Sequence, residues 1–151
     1  MRKLLILFLL MILQSCSSNH AIEIQKEPCL YPYKGYDFIL CESFIFSIDK
    51  TYYSIPGGFK TDLASVPRIL WSIYSPSRTE TIPAAVIHDF LYSGVLDITR
   101  KEADSILFDA LILKGTPQIT AFKYWAAVRL FGSSHFKQYK KQRIAIEKNN
   151  D

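Results

Sequence analysis

Between Tyr36 and Ile55 the apolar residues come in short aromatic and β-branched runs: Phe38-Ile39-Leu40-Cys41, Phe44-Ile45-Phe46-Ser47-Ile48 and Tyr52-Tyr53-Ser54-Ile55. Such runs predict strands, and Asp49-Lys50 between the last two predicts a turn, so the region reads as a small antiparallel meander. Pro56-Gly57-Gly58 ends it. Downstream the period lengthens. Ala84, His88, Leu91, Tyr92 and Val95 recur at helical spacing, ahead of a turn over 94–98. Thr99, with Glu102 three residues on, forms a capping box for a second helix through Ala103, Leu107, Ala110 and Leu111 to Gly115. Pro117 opens a third helix through Phe122, Trp125, Ala126 and Leu130 to Gly132. It is apolar nearly all round, which predicts that it is the buried one. The pattern gives one α+β domain over residues 36–135, a small antiparallel β-sheet packed against about three α-helices. There are no internal repeats.

The two ends differ from this domain. Residues 16–35 show no sustained period and contain two prolines, so they read as a tether. Residues 136–151 carry Lys137, Lys140, Lys141, Arg143 and Lys148, a basic tail that is either a solvated helix or a strip touching anionic head groups. At the amino end, Arg2 and Lys3 precede an apolar run from Leu4 to Leu13. About ten apolar residues are too few to cross ~30 Å of hydrocarbon, so residues 1–15 read as a secretory signal. Leu13-Gln14-Ser15-Cys16 then places a small residue just before a cysteine. The stretch resembles a bacterial lipoprotein signal, which implies cleavage before Cys16 and acylation of its sulfur and new amino terminus. Several acyl chains, at ~0.8 kcal/mol per buried methylene, make a firm anchor. Ser17, rather than Asp, follows the cysteine, and the sorting pattern it resembles then implies the outer membrane, with the domain facing the periplasm.

Composition changes this picture little. The formal charge is +4, and half of that excess leaves with Arg2 and Lys3. So weak a field, in that compartment, argues against nucleic acid as a partner. With Cys16 lipidated, Cys29 and Cys41 remain as an even pair in an oxidising compartment. Either they form a disulfide that staples the N-terminal segment to the first strand, or they are two separate thiols.

The candidate chemistry lies where strands give way to helices. Gly57 to Arg68 places Asp62, Ser65 and Arg68 on a polar, punctuated segment, where Asx and Ser turns are the plain alternative to a binding role. About twenty residues on, His88 shares a helical stripe with Ala84, Leu91 and Tyr92, and Asp89 is rotated about 100° from it. Asp104 falls on the packing face with Leu107, Phe108 and Leu111, while Asp109, turned about 140° away, is expected to be solvated. A carboxylate on an apolar face needs a partner, because an unpaired buried charge costs several kcal/mol. His88 or Arg68 is the economical choice. An Asp that holds a His in one tautomer is a general-base arrangement, and a second carboxylate such as Asp89 can hold a cation. The plain alternative is a satisfied polar network that fixes helix packing.

Two resemblances rest on these residues. Gly58 to Arg68, Trp71, Ala84 to Tyr92, Arg100 to Leu111 and Ala127 to Gly132 together resemble the phage and prophage family catalogued as domain of unknown function 1353. The likeness spans roughly Tyr36 to Gly132. It implies a phage or prophage origin and signature positions at Asp62, Ser65, Pro67, Arg68, His88, Asp89, Tyr92 and Asp104, but no established activity. A lipoprotein signal departs from the usual member and speaks against a virion role. Separately, His88-Asp89-x-x-Tyr92 with a later helical Asp104 is similar to the catalytic helices of secreted phospholipase A2. That likeness implies His88 as base, Asp104 as its orienter and Asp89 as a ligand for calcium. The cross-linking cysteines of those enzymes are absent, and Gly57-Gly58 is a vestige of their calcium loop.

Two functions follow as expectations. One is a membrane-anchored blocker that binds an outer-membrane phage receptor or entry component, needs no cofactor and excludes infection by related phages. The other is a hydrolase of lipid or cell wall that uses His88 and Asp104, with a divalent cation such as calcium.

Overall fold

The computed structural model describes residues 20–35, 37–63 and 79–137. Along them run β1 (Ile22–Ile24), β2 (Leu30–Pro32), β3 (Phe38–Leu40), β4 (Phe44–Ile48), β5 (Thr51–Ile55) and β6 (Lys60–Thr61), followed by α1 (Ile82–Tyr92), α2 (Arg100–Leu113) and α3 (Gln118–Phe131). This is an α+β fold.

The strands form two antiparallel three-stranded sheets, in the orders β1-β4-β5 and β2-β3-β6. The β4–β5 hairpin pairs Ile48 with Thr51 across Asp49-Lys50, both at positive φ (49° and 69°), the signature of a type I′ turn. The single meander expected from the sequence is corrected here, because β3 pairs with β2 and β6 rather than with β4. A disulfide between Cys29 and Cys41, together with the Cys41 N–H donated to the Cys29 carbonyl at 2.9 Å, binds the end of β3 to the β2 side.

The expected tether is also corrected from residue 22 onward. Ile22 is buried and pairs with Ile48, while Leu30 pairs with Leu40. Strands of three residues are too short to show an alternating period. Asp109 is not simply solvated either. It is half-buried, and its Oδ2 accepts the His20 N–H at 3.1 Å, fastening the start of β1 to α2. Asp49 receives the same segment, with Oδ1 accepting the Ala21 N–H at 2.9 Å and Oδ2 lying 3.0 Å from His20 Nδ1. The His20 hydrogen bond, then that of Ala21, holds the Asp49 carboxyl below its ordinary value.

The buried helix is α1, not α3. Eight of the eleven residues of α1 are buried. One side of α1 packs on α2, while Phe90 meets Phe46 and Phe59 edge-on from the sheets. In α3 the buried residues are Ala121, Tyr124, Ala127 and Val128, whereas Ile119 and Leu130 are 65% and 73% exposed. An apolar circumference does not by itself decide burial. Phe136, assigned from sequence to the tail, packs edge-on against Tyr92 at 5.2 Å and belongs to the domain. Among the described residues, no helix is long and apolar enough to cross a membrane.

Candidate functional site

Three helices meet at one carboxylate. Asp104 on α2 is fully buried, and its Oδ1 lies 3.0 Å from Nε2 of His88 on α1, itself 1% exposed. Tyr92, one turn after His88, donates its hydroxyl to the same Oδ1 at 2.5 Å, with the two rings 4.1 Å apart. Arg129 on α3 donates from Nη1 to Oδ2 at 2.9 Å. An ionised carboxylate only accepts, so the His88 contact requires the proton on Nε2, and in a neutral ring Nδ1 is then the acceptor.

Burial pushes the Asp104 carboxyl up, but the hydrogen bonds of His88, Tyr92 and Arg129 and the His88 charge outweigh it, leaving the group below its ordinary value. Burial, followed by the bond to Asp104 and its charge, pushes the Tyr92 phenol well above its usual range. Arg100 closes the arrangement by donating to the carbonyls of Arg129 at 3.0 Å and Val128 at 3.4 Å, at the negative end of α3. Gly132 follows immediately. A Cβ there would lie 2.7 Å from the Val128 carbonyl oxygen and 2.9 Å from the Tyr92 hydroxyl, so glycine is what lets α3 end against Tyr92.

Beside this network is a cavity of about 290 Å³, walled among the described residues by Asp37, Thr61, Asp62, Asp89, Tyr92 and His135. Asp89 is half-buried and accepts the Thr61 hydroxyl proton, and Thr61 Oγ1 in turn accepts the Leu63 N–H at 3.1 Å. The Thr61-Asp62-Leu63 segment is thereby tied to α1 just where Leu63 turns through a left-handed φ of 54°.

The sequence-derived candidates therefore divide by depth. His88 and Asp104 form a buried pair, as the packing-face argument anticipates. Asp62 and Asp89 meet at the cavity, and Tyr92 spans both settings, lining the cavity and donating its hydroxyl to Asp104. Ser65, Arg68 and Cys16, the residue expected to be lipidated, lie outside the described residues. Among the described residues, no group of three or more His, Cys, Asp or Glu side chains is placed to hold a metal ion. Sequence reasoning missed Arg129, Thr61 and His135. The available signal for Arg129 was a cation, one of two with Lys123, on a largely apolar helix, where it needs a carboxylate as much as Asp104 needs a cation.

The protein family described as "Protein of unknown function (DUF1353)" matches residues 38–128. That span runs from β3 into α3 and includes His88, Asp89, Tyr92 and Asp104, while Arg129 lies one residue beyond it. No curated protein and no solved structure matches the chain. A match over more than half of its length establishes that this chain belongs to the DUF1353 family.

Proposed function

We propose that this protein is a phage- or prophage-encoded lipoprotein, anchored by acyl chains on Cys16 in the outer membrane with its domain in the periplasm. There it blocks infection by related phages by binding a receptor or entry component. The observation that carries this reading is how the ionisable residues are used. His88, Asp104 and Tyr92 are buried, and with Arg129 they satisfy one another. A partner therefore meets the domain's surface and its cavity, not the His–Asp pair. Anchoring contributes by confining the domain beside a membrane-embedded target, which raises effective concentration without a larger interface. The weak net charge leaves nucleic acid out of the partner set.

The test is efficiency of plating for a panel of phages on cells that make wild type or Cys16→Ser at matched abundance. Protection by wild type that disappears with Cys16→Ser supports an anchored blocker. Absence of protection from wild type counts against it.

A second reading, a His/Asp-dependent hydrolase of lipid or cell wall, is favoured by one specific feature. Asp104 fixes the Nε2–H tautomer of His88, so Nδ1 is the basic nitrogen of a neutral ring. Asp89, the neighbouring residue, and Asp62 line the cavity, two carboxylates toward a cation such as calcium, which would need further ligands to be held there. Lipid or peptidoglycan hydrolysis that is abolished by a chelator and restored by calcium would favour this reading over the blocker.

A further inference from the structure

The amino-terminal end of the described chain arrives at one end of the helical layer. His20 is held there by the Asp109 carboxylate on α2 and by Asp49 in the β4–β5 turn. On α2, Ile112 and Leu113 follow Asp109 by three and four residues, which places them on its side of the helix one turn further on. The buried residues of α2, from Ala103 to Leu111, centre on the side opposite Asp109. Ile112 and Leu113 are 40% and 50% exposed, and Ile119, in the first turn of α3, is 65% exposed. Three branched apolar side chains are thus turned to the outside around the point where the chain enters the domain. Lys50 is exposed in the turn beside His20.

Cys16 precedes His20 by four residues, and four extended residues reach at most about 14 Å. If Cys16 is acylated, the polar-head-group surface cannot be much further than that from His20. The intervening Ser17-Ser18-Asn19 is polar and offers no apolar cover. We infer that Ile112, Leu113 and Ile119 dock on the bilayer surface, so that the domain rests on the membrane by the carboxyl end of α2. Lys50 then lies at the level of anionic head groups. This inference rests on the lipoprotein reading of Cys16. It assigns the exposed apolar end of the helices a lipid partner and fixes which way the rest of the domain faces.

The test uses the acylated full-length mature chain, with Cys29 and Cys41 paired, in vesicles of phosphatidylethanolamine and phosphatidylglycerol. A nitroxide is attached at Leu113→Cys or, as control, at Val95→Cys. Val95 is 64% exposed and lies just before α2, whose fourteen residues put about 20 Å between the two sites. The expected result is that oxygen relaxes the Leu113 label more than a water-soluble nickel chelate does, with the reverse order at Val95. Adding Ile112→Asp and Ile119→Asp should return the Leu113 label to aqueous behaviour, and all of these positions are exposed enough to leave the fold intact. An aqueous Leu113 label on protein whose mass shows the acyl chains overturns the docking face alone. A label immobilised and shielded from both reagents overturns it too, by pointing to a second protein surface. A mass without acyl chains overturns the lipoprotein reading, and the docking face with it.

Discussion

Asp104 accepts hydrogen bonds from both helices flanking its own, and much of the domain's helical geometry depends on it. Removing one partner from a buried, charge-bearing network costs about 3–5 kcal/mol, because the others are left unsatisfied. Asp104→Ala should lower the stability of the purified domain by that order in urea unfolding, enough to unfold a marginal protein. The same residue sets an acid limit. Its folded-state pKa is depressed, so its contribution is fully present above the ordinary carboxylate value near 4 and is lost as pH falls through the folded value. Tyr92 is shifted in the opposite direction, upward. Its contribution is complete below the ordinary phenol value near 10 and is lost as pH rises through the folded value. Melting temperature followed across pH should therefore fall below about 4 and above about 10, and Tyr92→Phe should remove the alkaline fall contributed by this group. At this scale the sequence was informative where one helical period sufficed: Asp104 sits among Leu107, Phe108 and Leu111, so it demanded a partner. Arg129 carried only the weaker signal of a cation on a largely apolar helix, and nothing local ties it to a residue 25 positions away.

Among the elements, the helix boundaries were the most legible. Thr99 accepts the Glu102 N–H at 3.2 Å, as the capping box predicts, and Gly115 past the end of α2 has φ +82°. The division of the strands into two sheets was not legible, because β1, β2 and β6 have three residues or fewer and leave no periodic trace. Two predictions belong here. Lys50 holds a left-handed conformation that favours glycine, so Lys50→Gly should stabilise the hairpin by about 1 kcal/mol, measured by thermal unfolding. The Cys29–Cys41 disulfide, with partners 12 residues apart, should contribute about 3 kcal/mol through the unfolded chain. Unfolding with and without reductant reads this directly. Unchanged stability would mean that pairing of β2 with β3 holds the edge unaided.

At the scale of the molecule, the two ends of the helical layer present different surfaces. Where α2 ends and α3 begins are His20, Ile112, Leu113 and Ile119, on the side of the proposed acyl anchor. The cavity with Asp62, Asp89, Tyr92 and His135 lies by the end of α1, near the start of α2 and the end of α3. On the proposed orientation the cavity faces away from the bilayer, toward whatever the anchored domain meets in the periplasm. On the proposed reading the His88–Asp104 pair holds helices together and protection comes from binding. The most direct test is efficiency of plating of related phages on cells making wild type or His88→Gln, with membrane abundance matched by immunoblot. Glutamine can still donate to Asp104 but cannot act as a base. Equal protection by the two proteins is the expected result, whereas loss of protection with undiminished His88→Gln lipoprotein would contradict the account and put chemistry at that site.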